Sequence, residues 1–412
     1  MNAVATLSTL PSQIADAIGA VVGPGPEALH EPRFAGNEWA YLKECLDTNF
    51  VSSVGPFVEK FERQISTTVG VRFGVATASG TSALHVALLV AGVEPDDEVL
   101  VSTLSFIAPA NAVRYAGAWP VFVDAEREYW QMDVGKAVEW LETRCRWVGK
   151  ELRNNVTGRR VKAVIPVHVL GHPVDMAPLV QAARRYDLAV IEDATESLGA
   201  SYNGRPVGSL ADVACLSFNG NKLITTGGGG MIVTDNEAMA VRAKYLTTQA
   251  KDNAVESVHG AVGFNYRMSN IQAALGCAQL EHLDEYLLSK RRISETYALA
   301  LSALPGLTPM REAPWSRSAC WMFTVLVDAA RFGMDSRALL RFLEGRGVQT
   351  RPLWQPLHCS PAHTGAPATD CSVAARLNKE ALSLPSSVGL NAADQARVID
   401  EIRSAGAGTV SS

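Results

Sequence analysis

The sequence predicts an α/β protein with a mostly parallel central sheet and a smaller α+β domain at its carboxyl end. Short runs rich in Val and Ile alternate with segments whose apolar residues recur at helical spacing. This alternation is typical of a parallel sheet covered by helices on both faces. After about residue 285 the pattern changes to a long charged helix, an apolar strand and a terminal helix, and 412 residues suffice for two domains.

Seven apolar runs are predicted strands of the central sheet. They are GVAT (74–77), EVLVS (98–102), PVFVD (120–124), VKAVIPV (161–167), LAVIED (188–193), VACLSF (213–218) and GMIVT (230–234). Between these strands, apolar residues recur at helical spacing, which predicts helices in TSALHVALLVAG, IAPANAVRYAG and DMAPLVQAARRY. Ligands of such sheets bind beyond the carboxyl ends of the strands, so we expect the functional residues there.

The domain organisation follows from these patterns. We predict an N-terminal arm over residues 1–35, a large domain over 36–285 and a small domain over 286–412. The stretch 126–160 is long for one crossover and ends in the polar, basic GKELRNNVTGRR, which indicates a surface insertion. In the small domain we predict the helix LLSKRRISETYALALSAL, a strand in CWMFTVLVDA, a helix and a strand in SRALLRFLEGRGVQTRPLW, and the helix AADQARVIDEIRSA.

Charge and cysteine usage exclude several classes of protein. The formal charge is -5 and no Lys/Arg-rich block occurs, so neither nucleic acid nor an anionic membrane surface is an expected partner. No apolar run approaches the ~18 residues of a membrane span, and we expect a cytoplasmic protein. The seven cysteines include no CxxC pair, which argues against disulfides and a structural zinc site. We therefore expect reduced packing cysteines and no metal.

The segment SFNGNKLITTGGGGMIVT (217–234) places a lysine between two predicted strands and four glycines. Lys222 follows one strand, and Asp193 closes the strand LAVIED, so the two side chains are expected to meet at one edge of the sheet. A carboxylate at the tip of an apolar strand is partly desolvated and needs a positive partner. A direct Asp193–Lys222 ion pair is the simplest explanation. The glycines are expected to let the backbone turn sharply and pass close to a ligand.

A second element, SGTSALH (79–85), suggests what that ligand is. Its backbone amides and hydroxyls lie at a helix N-terminus and form an anion site suited to phosphate, although helix capping explains the motif about as well. Pyridoxal phosphate needs a lysine amine, a carboxylate beside its ring nitrogen and a phosphate site. The phosphate would be bound by Gly80, Thr81 and Ser82, with Ser217 adding a hydroxyl. Phe106 is expected either to stack on the ring or to pack in the core.

Six motifs together carry a family resemblance: SGTSALH, SFIAPANA, VIPVHVLGHPVDM, VIEDATESLGA, SFNGNKLITTGGGG and GFNYRMSNIQAALG. In order and spacing they resemble the nucleotide-sugar aminotransferases of the DegT/StrS family, over residues 30 to 386. The resemblance implies a homodimer of the pyridoxal-phosphate fold type I, which is aspartate aminotransferase-like. It also implies that Lys222 forms the Schiff base, that Asp193 binds the pyridine nitrogen and that Asn265 reaches the phosphate in the neighbouring subunit. Phe106, Ser217 and Thr81 complete the implied cofactor site.

Two departures from the family pattern indicate a subgroup. Most members carry Gln at the position of Glu196, and Glu-Gly-Gly where this chain has Gly228-Gly229-Gly230. With LHEPRF, RPLWQPLH and the 126–160 insertion, these residues resemble the enzymes that aminate UDP-4-keto-6-deoxy-N-acetylglucosamine on the routes to bacillosamine and legionaminic acid. The protonation of Glu196 stays open, because a second carboxylate beside the cofactor's phenolate is repelled unless one group is protonated or water-bridged.

The activity implied by the resemblance is transfer of an amino group from L-glutamate to C4 of the keto sugar. Lys222 is then both the anchor and the base. His168, His172 and Arg351 are candidates for lining the sugar site, with a structural role as the alternative for the histidines. Two alternatives remain for the whole chain: an aminotransferase for another nucleotide sugar, of the GDP-perosamine or 3-keto type, or a degenerate cofactor-fold protein acting as a sensor or scaffold. The stereochemistry of the product amine stays open.

Overall fold

The computed structural model describes residues 25–253 and 255–407. Of the predicted N-terminal arm, residues 1–24 lie outside the described residues. The first part of the chain contains these elements: α1 (Glu38–Asp47), α2 (Pro56–Val69), β1 (Phe73–Thr77), α3 (Gly80–Val90), β2 (Glu98–Ser102), α4 (Ala108–Tyr115), β3 (Trp119–Val123), α5 (Val134–Arg144), β4 (Cys145–Val148), β5 (Glu151–Asn154), β6 (Val161–Ile165), α6 (Met176–Arg185), β7 (Ala189–Asp193), β8 (Ser201–Tyr202), β9 (Arg205–Pro206), β10 (Val213–Ser217), β11 (Gly230–Thr234), α7 (Glu237–Thr247), β12 (Lys251–Asn253), β13 (Val258–His259) and α8 (Asn270–Leu280).

The central sheet has seven strands in the order β1-β11-β10-β7-β6-β2-β3. Strands β10, β7, β6, β2 and β3 pair in parallel, while β11 is antiparallel to both β1 and β10. All seven predicted strands are present, and their ends differ from the prediction by no more than two residues. The expectation of an α/β fold with a mostly parallel sheet is therefore confirmed.

The sequence of helix α3 explains where the helix begins and why it packs on the central sheet. Ser79 caps the helix in a reciprocal capping box: its Oγ accepts from the Ser82 N–H at 3.1 Å, and its own N–H donates to the Ser82 Oγ at 2.9 Å. The helix is almost entirely apolar and packs against β10 and β11, with Leu84 and Leu88 fully buried. Each such leucine contributes about 1.5–3 kcal/mol of hydrophobic free energy. This burial places the N-terminus of α3 at the edge of the sheet where β10 ends.

The carboxyl-terminal part forms a second, smaller sheet. Its elements are α9 (Leu283–Ser302), β14 (Leu307–Pro309), β15 (Ser316–Arg317), β16 (Phe323–Val327), α10 (Ala329–Phe332), α11 (Ser336–Glu344), α12 (Ser372–Glu380), β17 (Ala381–Leu384) and α13 (Ala392–Ala407). Strands β14, β16 and β17 form an antiparallel sheet in that order. The core beneath it contains Tyr297, Leu339 and Ile402, all fully buried.

One predicted strand of the small domain is wrong. Residues 348–354 form no strand and make only isolated bridges, Glu27 with Val348 and Arg351 with Ser383. The third strand of the small sheet is β17 instead. Pro352 explains the difference, because proline has no N–H to donate to a ladder.

The segment predicted as a surface insertion, 126–160, contains α5 and the antiparallel hairpin β4–β5. Asn154 Nδ2 and Thr157 Oγ1 donate to the two carboxylate oxygens of Glu98, at 2.8 and 2.7 Å, so the segment is anchored to the start of β2. Trp147 in the hairpin is 48% exposed. The division of the chain into an arm, a large domain and a small domain stays a prediction.

The cysteines pack as single thiols. All seven are free, and five of them are buried: Cys45, Cys145, Cys215, Cys277 and Cys371. Burial raises the pKa of the Cys145 and Cys277 thiols to about 12, so neither is a reactive thiolate. In the ranges 25–253 and 255–407, no helix is long and apolar enough to cross a membrane, and no three His, Cys, Asp or Glu side chains are grouped as for a metal ion.

Candidate active site at the strand ends

The residues singled out in the sequence meet at the carboxyl ends of β7 and β10. These strands pair in parallel with Cys215 opposite Asp193, so Asp193 and Ser217 end neighbouring strands at the same edge. Lys222 lies in the loop that follows β10. The structure therefore places the lysine, the carboxylate and the hydroxyl at the edge where parallel sheets bind their ligands.

Glu196, and not Asp193, is the carboxylate paired with Lys222. The Lys222 Nζ lies 3.6 Å from the Glu196 Oε1, and the two side chains are 14% and 5% exposed. The direct Asp193–Lys222 ion pair considered from the sequence is thus not formed. The Nζ also lies 4.1 Å from the ring centroid of Trp321, within the range of a cation–π contact.

Asp193 is a buried carboxylate without a cationic partner. Its side chain accepts the Thr195 N–H at 3.2 Å, and among the described residues no Lys, Arg or His lies within ion-pair distance of it. Burial raises the pKa of this carboxyl, and the charge of Lys222 opposes the rise only in part. A buried charge is costly unless it is paired. Asp193 therefore suits a ligand that brings a positive charge, such as a protonated pyridine nitrogen.

Glu196 is held between the lysine and the loop that follows β6. Its second oxygen, Oε2, accepts the Leu170 N–H at 2.8 Å. Burial raises the pKa of this carboxyl, Lys222 lowers it, and the charge of Asp193 adds to the rise. Two buried carboxylates thus share one nearby lysine, and of the two only Glu196 lies within ion-pair distance of its amine.

The N-terminus of α3 can bind an anion. The hydroxyls of Ser79 and Ser82 serve the capping box, while the amides of Gly80 and Thr81 have no hydrogen-bond partner in the part of the chain that the structure describes. A Cβ on Gly80 would lie only 2.9 Å from the Ser217 Cβ, so the turn and the end of β10 are in close contact. Free amides at a helix N-terminus beside a hydroxyl form a phosphate cradle.

The glycine tract is explained by this close approach. A Cβ on Gly230 would lie 2.5 Å from the carbonyl carbon of Ser79, a distance that real Cβ atoms essentially never show. Gly227 has φ +77°, a conformation that favours glycine. The tract therefore lets β11 pass against the start of α3, and the expectation that it also makes room for the ligand stays a prediction.

Phe106 is not a core residue. Its side chain is 55% exposed in the loop after β2, although its neighbour Ser105 is buried. The core-packing alternative is therefore wrong. The ring face remains available for stacking, and its role toward the cofactor stays a prediction.

His168 and His172 both serve structural hydrogen bonds. His168 is fully buried; its Nδ1 accepts the Val174 N–H at 3.0 Å, so its Nε2 carries the proton and donates to the Glu192 Oε1 at 3.0 Å. In His172 the Nε2 accepts the Ala313 N–H and the Nδ1 donates to the Pro173 oxygen, both at 2.9 Å, and burial lowers the pKa to about 4. Neither ring has a nitrogen left for a sugar.

Asn265 and Arg351 lie on the surface of the chain. Asn265 is exposed in a segment that bridges to Thr248. Arg351 is exposed, and its Nη1 donates to the Thr350 oxygen at 2.9 Å. Neither makes a hydrogen bond to Lys222 or Asp193 within the described ranges, so their roles toward the partner's phosphate and the sugar stay predictions.

Two residues of this site were not found from the sequence. Thr195 lies beside Gly80, where a Cβ would meet its Cγ2 at 3.3 Å, and its position between Asp193 and Glu196 was the available signal. Trp321 precedes β16 in the carboxyl-terminal part, and no spacing or motif connects it with Lys222. Only the packing of the two parts of the chain brings its ring to the lysine.

These features fit pyridoxal phosphate. The cofactor's ring nitrogen needs a carboxylate such as Asp193, its aldehyde needs an amine such as Lys222, and its phosphate needs free amides such as those at the start of α3. The fold and the site define a pyridoxal-phosphate-dependent enzyme of the aminotransferase class.

Comparison with known proteins gives the family. The sequence profile of the DegT/DnrJ/EryC1/StrS aminotransferase family matches residues 32–403, so the chain belongs to this family. It is 40% identical over 369 residues to the GDP-perosamine synthase of Caulobacter vibrioides, covering 89% of this chain and 95% of the relative. The GDP-perosamine synthase of Escherichia coli O157:H7 is 36% identical over 336 residues, covering 82% of this chain and 86% of the relative.

A solved structure agrees with this assignment. The crystal structure of DesI in the presence of its TDP-sugar product superimposes with a TM-score of 0.83 at 28% identity, covering 95% of this chain and 96% of the other. The protein is therefore a pyridoxal-phosphate-dependent sugar aminotransferase. The alternative of a degenerate sensor or scaffold is not needed, since the lysine and both carboxylates are in place.

Proposed function

We propose that this enzyme transfers the amino group of L-glutamate to C4 of a nucleotide-linked 4-keto-6-deoxy sugar, with UDP-4-keto-6-deoxy-N-acetylglucosamine as the acceptor. The observation that carries the proposal is the pairing of Lys222 with Glu196 at 3.6 Å. Glu196 stands where most of the proteins that this chain resembles carry Gln, and its contact with the amine of Lys222 supports a role for this difference in the reaction. The family and the site are compatible with other keto sugars, so the acceptor is the part that requires a test.

The chain's own residues have distinct tasks in this reaction. Bound pyridoxal phosphate supplies an electron-accepting ring that acidifies the α-proton of an amino acid. The Lys222 Nζ would hold the cofactor and, when free, would accept the α-proton from the amino donor and supply a proton to the aminated carbon of the acceptor. Asp193 would keep the ring nitrogen protonated by its negative charge. The amides of Gly80 and Thr81 would bind the phosphate.

A second acceptor is favoured by a specific observation. The two relatives with 40% and 36% identity are GDP-perosamine synthases, and each match covers more than four fifths of this chain. A GDP-linked keto sugar is therefore the competing candidate. The motifs around Glu196 favour the UDP sugar, and the overall identity favours the GDP sugar.

We also propose that the enzyme works as a homodimer whose subunits share each active site. Large apolar side chains lie exposed on and near α1: Phe34 is 56% exposed, Trp39 77% and Phe50 46%. An exposed group of this kind is typical of a protein–protein interface. Asn265 is exposed as well, as a residue that reaches a partner's cofactor site must be.

The test of the proposed function is a substrate panel. Purified enzyme loaded with pyridoxal phosphate is incubated with L-glutamate and, separately, UDP-, GDP- and dTDP-linked keto sugars, and the products are identified by NMR. We expect amination at C4 of the UDP sugar with formation of 2-oxoglutarate. The Lys222→Ala protein serves as the control for non-enzymatic amination. Faster amination of a GDP sugar, or amination at C3, would replace the proposed acceptor.

A further inference from the structure

We propose that Trp321 is a positioning residue that holds the Lys222 amine in place beside Glu196. Trp321 is 3% exposed and lies just before β16. Its indole face lies against the Lys222 Nζ, 4.1 Å from the ring centroid. The inference rests on Lys222 being the reacting amine and does not depend on which sugar is the acceptor.

One hydrogen bond holds the indole ring of Trp321, and two hold its backbone. Its Nε1–H donates to the backbone oxygen of Asn221, the residue before the lysine, at 2.8 Å. The Trp321 backbone N–H donates to the Leu170 oxygen at 3.2 Å, and its carbonyl accepts from the Lys290 Nζ at 2.8 Å. The ring therefore cannot turn away from the lysine without breaking its partly buried hydrogen bond to Asn221.

Glu196, Leu170 and Trp321 are linked to one another by hydrogen bonds, and Glu196 and Trp321 both contact the Lys222 amine. Glu196 pairs with Lys222 through Oε1 and accepts the Leu170 N–H through Oε2 at 2.8 Å. Leu170 in turn accepts the Trp321 N–H, and the Trp321 ring lies against Lys222. Leu170 has φ +62°, an uncommon conformation for leucine that costs free energy. The strained Leu170 backbone thus bonds to both Glu196 and Trp321, the two residues that contact the Lys222 amine.

Lys290 is the structural support of this arrangement. It is fully buried on α9 and has no carboxylate within ion-pair distance among the described residues. Its Nζ bonds to the Trp321 oxygen, the Ser386 oxygen and the His30 Nε2. A buried lysine held only by neutral acceptors is expensive, and here it joins the N-terminal segment, the small sheet and the tryptophan.

The reacting amine needs such a holder because it must be free during part of the cycle. An ammonium against an aromatic face is stabilised by the ring's negative face, and the ring also limits where the side chain can move. The charged and titratable groups that face Lys222 are Glu196, Asp193 and His30. Trp321 adds a neutral ring face that contacts the same amine at 4.1 Å from the ring centroid.

The test measures the reactivity of the Lys222 amine in the cofactor-free protein. Wild type, Trp321→Leu, Trp321→Phe and the matched control Trp315→Phe are trace-labelled with acetic anhydride over a range of pH. Labelling at each lysine is quantified by peptide mass spectrometry relative to the exposed Lys43. We expect the leucine variant to label Lys222 faster than wild type by about 2- to 30-fold, the range that corresponds to loss of one cation–π contact.

The phenylalanine variant keeps a ring face, so its increase should be smaller, and the control should match wild type. Labelling of the buried Lys290 separates positioning from general loosening, because the hydrogen bond from Lys290 to Trp321 is made to the backbone carbonyl and not to the indole. An equal rise at Lys290 and Lys222, or an unchanged Lys222, would overturn the proposal. Should the leucine variant not fold, the phenylalanine variant carries the same comparison. No sugar nucleotide is used, so a wrong acceptor leaves the result unaffected.

Discussion

Replacing Asp193 by asparagine should stabilise the cofactor-free protein while damaging the active site. Burial raises the pKa of this carboxyl in the folded protein above its value of about 3.9 in the unfolded chain. The folded state therefore binds the proton more tightly, and folding stability falls as pH rises from the unfolded pKa through the folded pKa. At neutral pH, which lies above the unfolded pKa, this difference in pKa lowers the free energy of unfolding, and asparagine removes the titrating group with little change in shape.

The expected size of the change in stability can be judged by comparing Asp193 with Glu196, which has a close positive partner. At 3.6 Å from Lys222, two unit charges attract by about 4–5 kcal/mol at an effective dielectric constant of about 20. This is comparable with the several kcal/mol that burying one ion costs. Asp193 has no such close partner among residues 25–253 and 255–407. We therefore expect Asp193→Asn to raise the free energy of unfolding by about 1–3 kcal/mol. Glu196→Gln should lower it by up to about 3–5 kcal/mol, because the change leaves the buried Lys222 without its close carboxylate.

The assay is the thermal midpoint of the cofactor-free proteins between about pH 4 and about pH 8, with and without added pyridoxal phosphate. The gain of Asp193→Asn should grow with pH and become small at about pH 4, where about half of the unfolded carboxyls are protonated. Added cofactor should stabilise wild type more than the variant, because stabilisation by a ligand rises with the logarithm of its concentration relative to Kd. A lower midpoint for the variant at neutral pH without cofactor would show that the protein already compensates Asp193, and the reasoning would be refuted.

Three further outcomes are expected. Lys222→Ala should still bind pyridoxal phosphate but show no turnover and no visible absorption band of lysine-bound cofactor; near-normal turnover would remove Lys222 from its role. Gly80→Ala should weaken cofactor binding, measured by fluorescence titration, because the new Cβ would lie 2.9 Å from the Ser217 Cβ and such overpacking costs about 1–3 kcal/mol. The matched control Gly389→Ala, where no atom lies within 4 Å of the new Cβ and φ is likewise not positive, should leave affinity unchanged. Mixing inactive Lys222→Ala and inactive Asn265→Ala chains should restore activity, since a heterodimer has one site with neither lesion; continued inactivity despite demonstrated subunit exchange would place Asn265 in its own subunit's site.

The sequence by itself determined the sheet and the edge at which the site lies. Strands buried on both faces need continuous apolar runs, so their positions are visible without any tertiary information. Asp193 and Lys222 were located by the same rule, because polar residues at the carboxyl ends of parallel strands converge. The close contact of Gly80 with Ser217 agrees with the anion site predicted from SGTSALH, because a helix that begins after β1 has its N-terminus at the same edge of the sheet.

Only the tertiary structure decided which groups meet. It paired Lys222 with Glu196 instead of Asp193, assigned His168 and His172 to structural hydrogen bonds, and replaced the predicted strand at 348–354 by β17. It also brought Trp321 to the lysine from another part of the chain. Periodicity reports which face of an element is buried, whereas distances of 3–4 Å between side chains depend on how separate elements pack. For that reason the sequence identified the reacting lysine, and the fold identified what holds it.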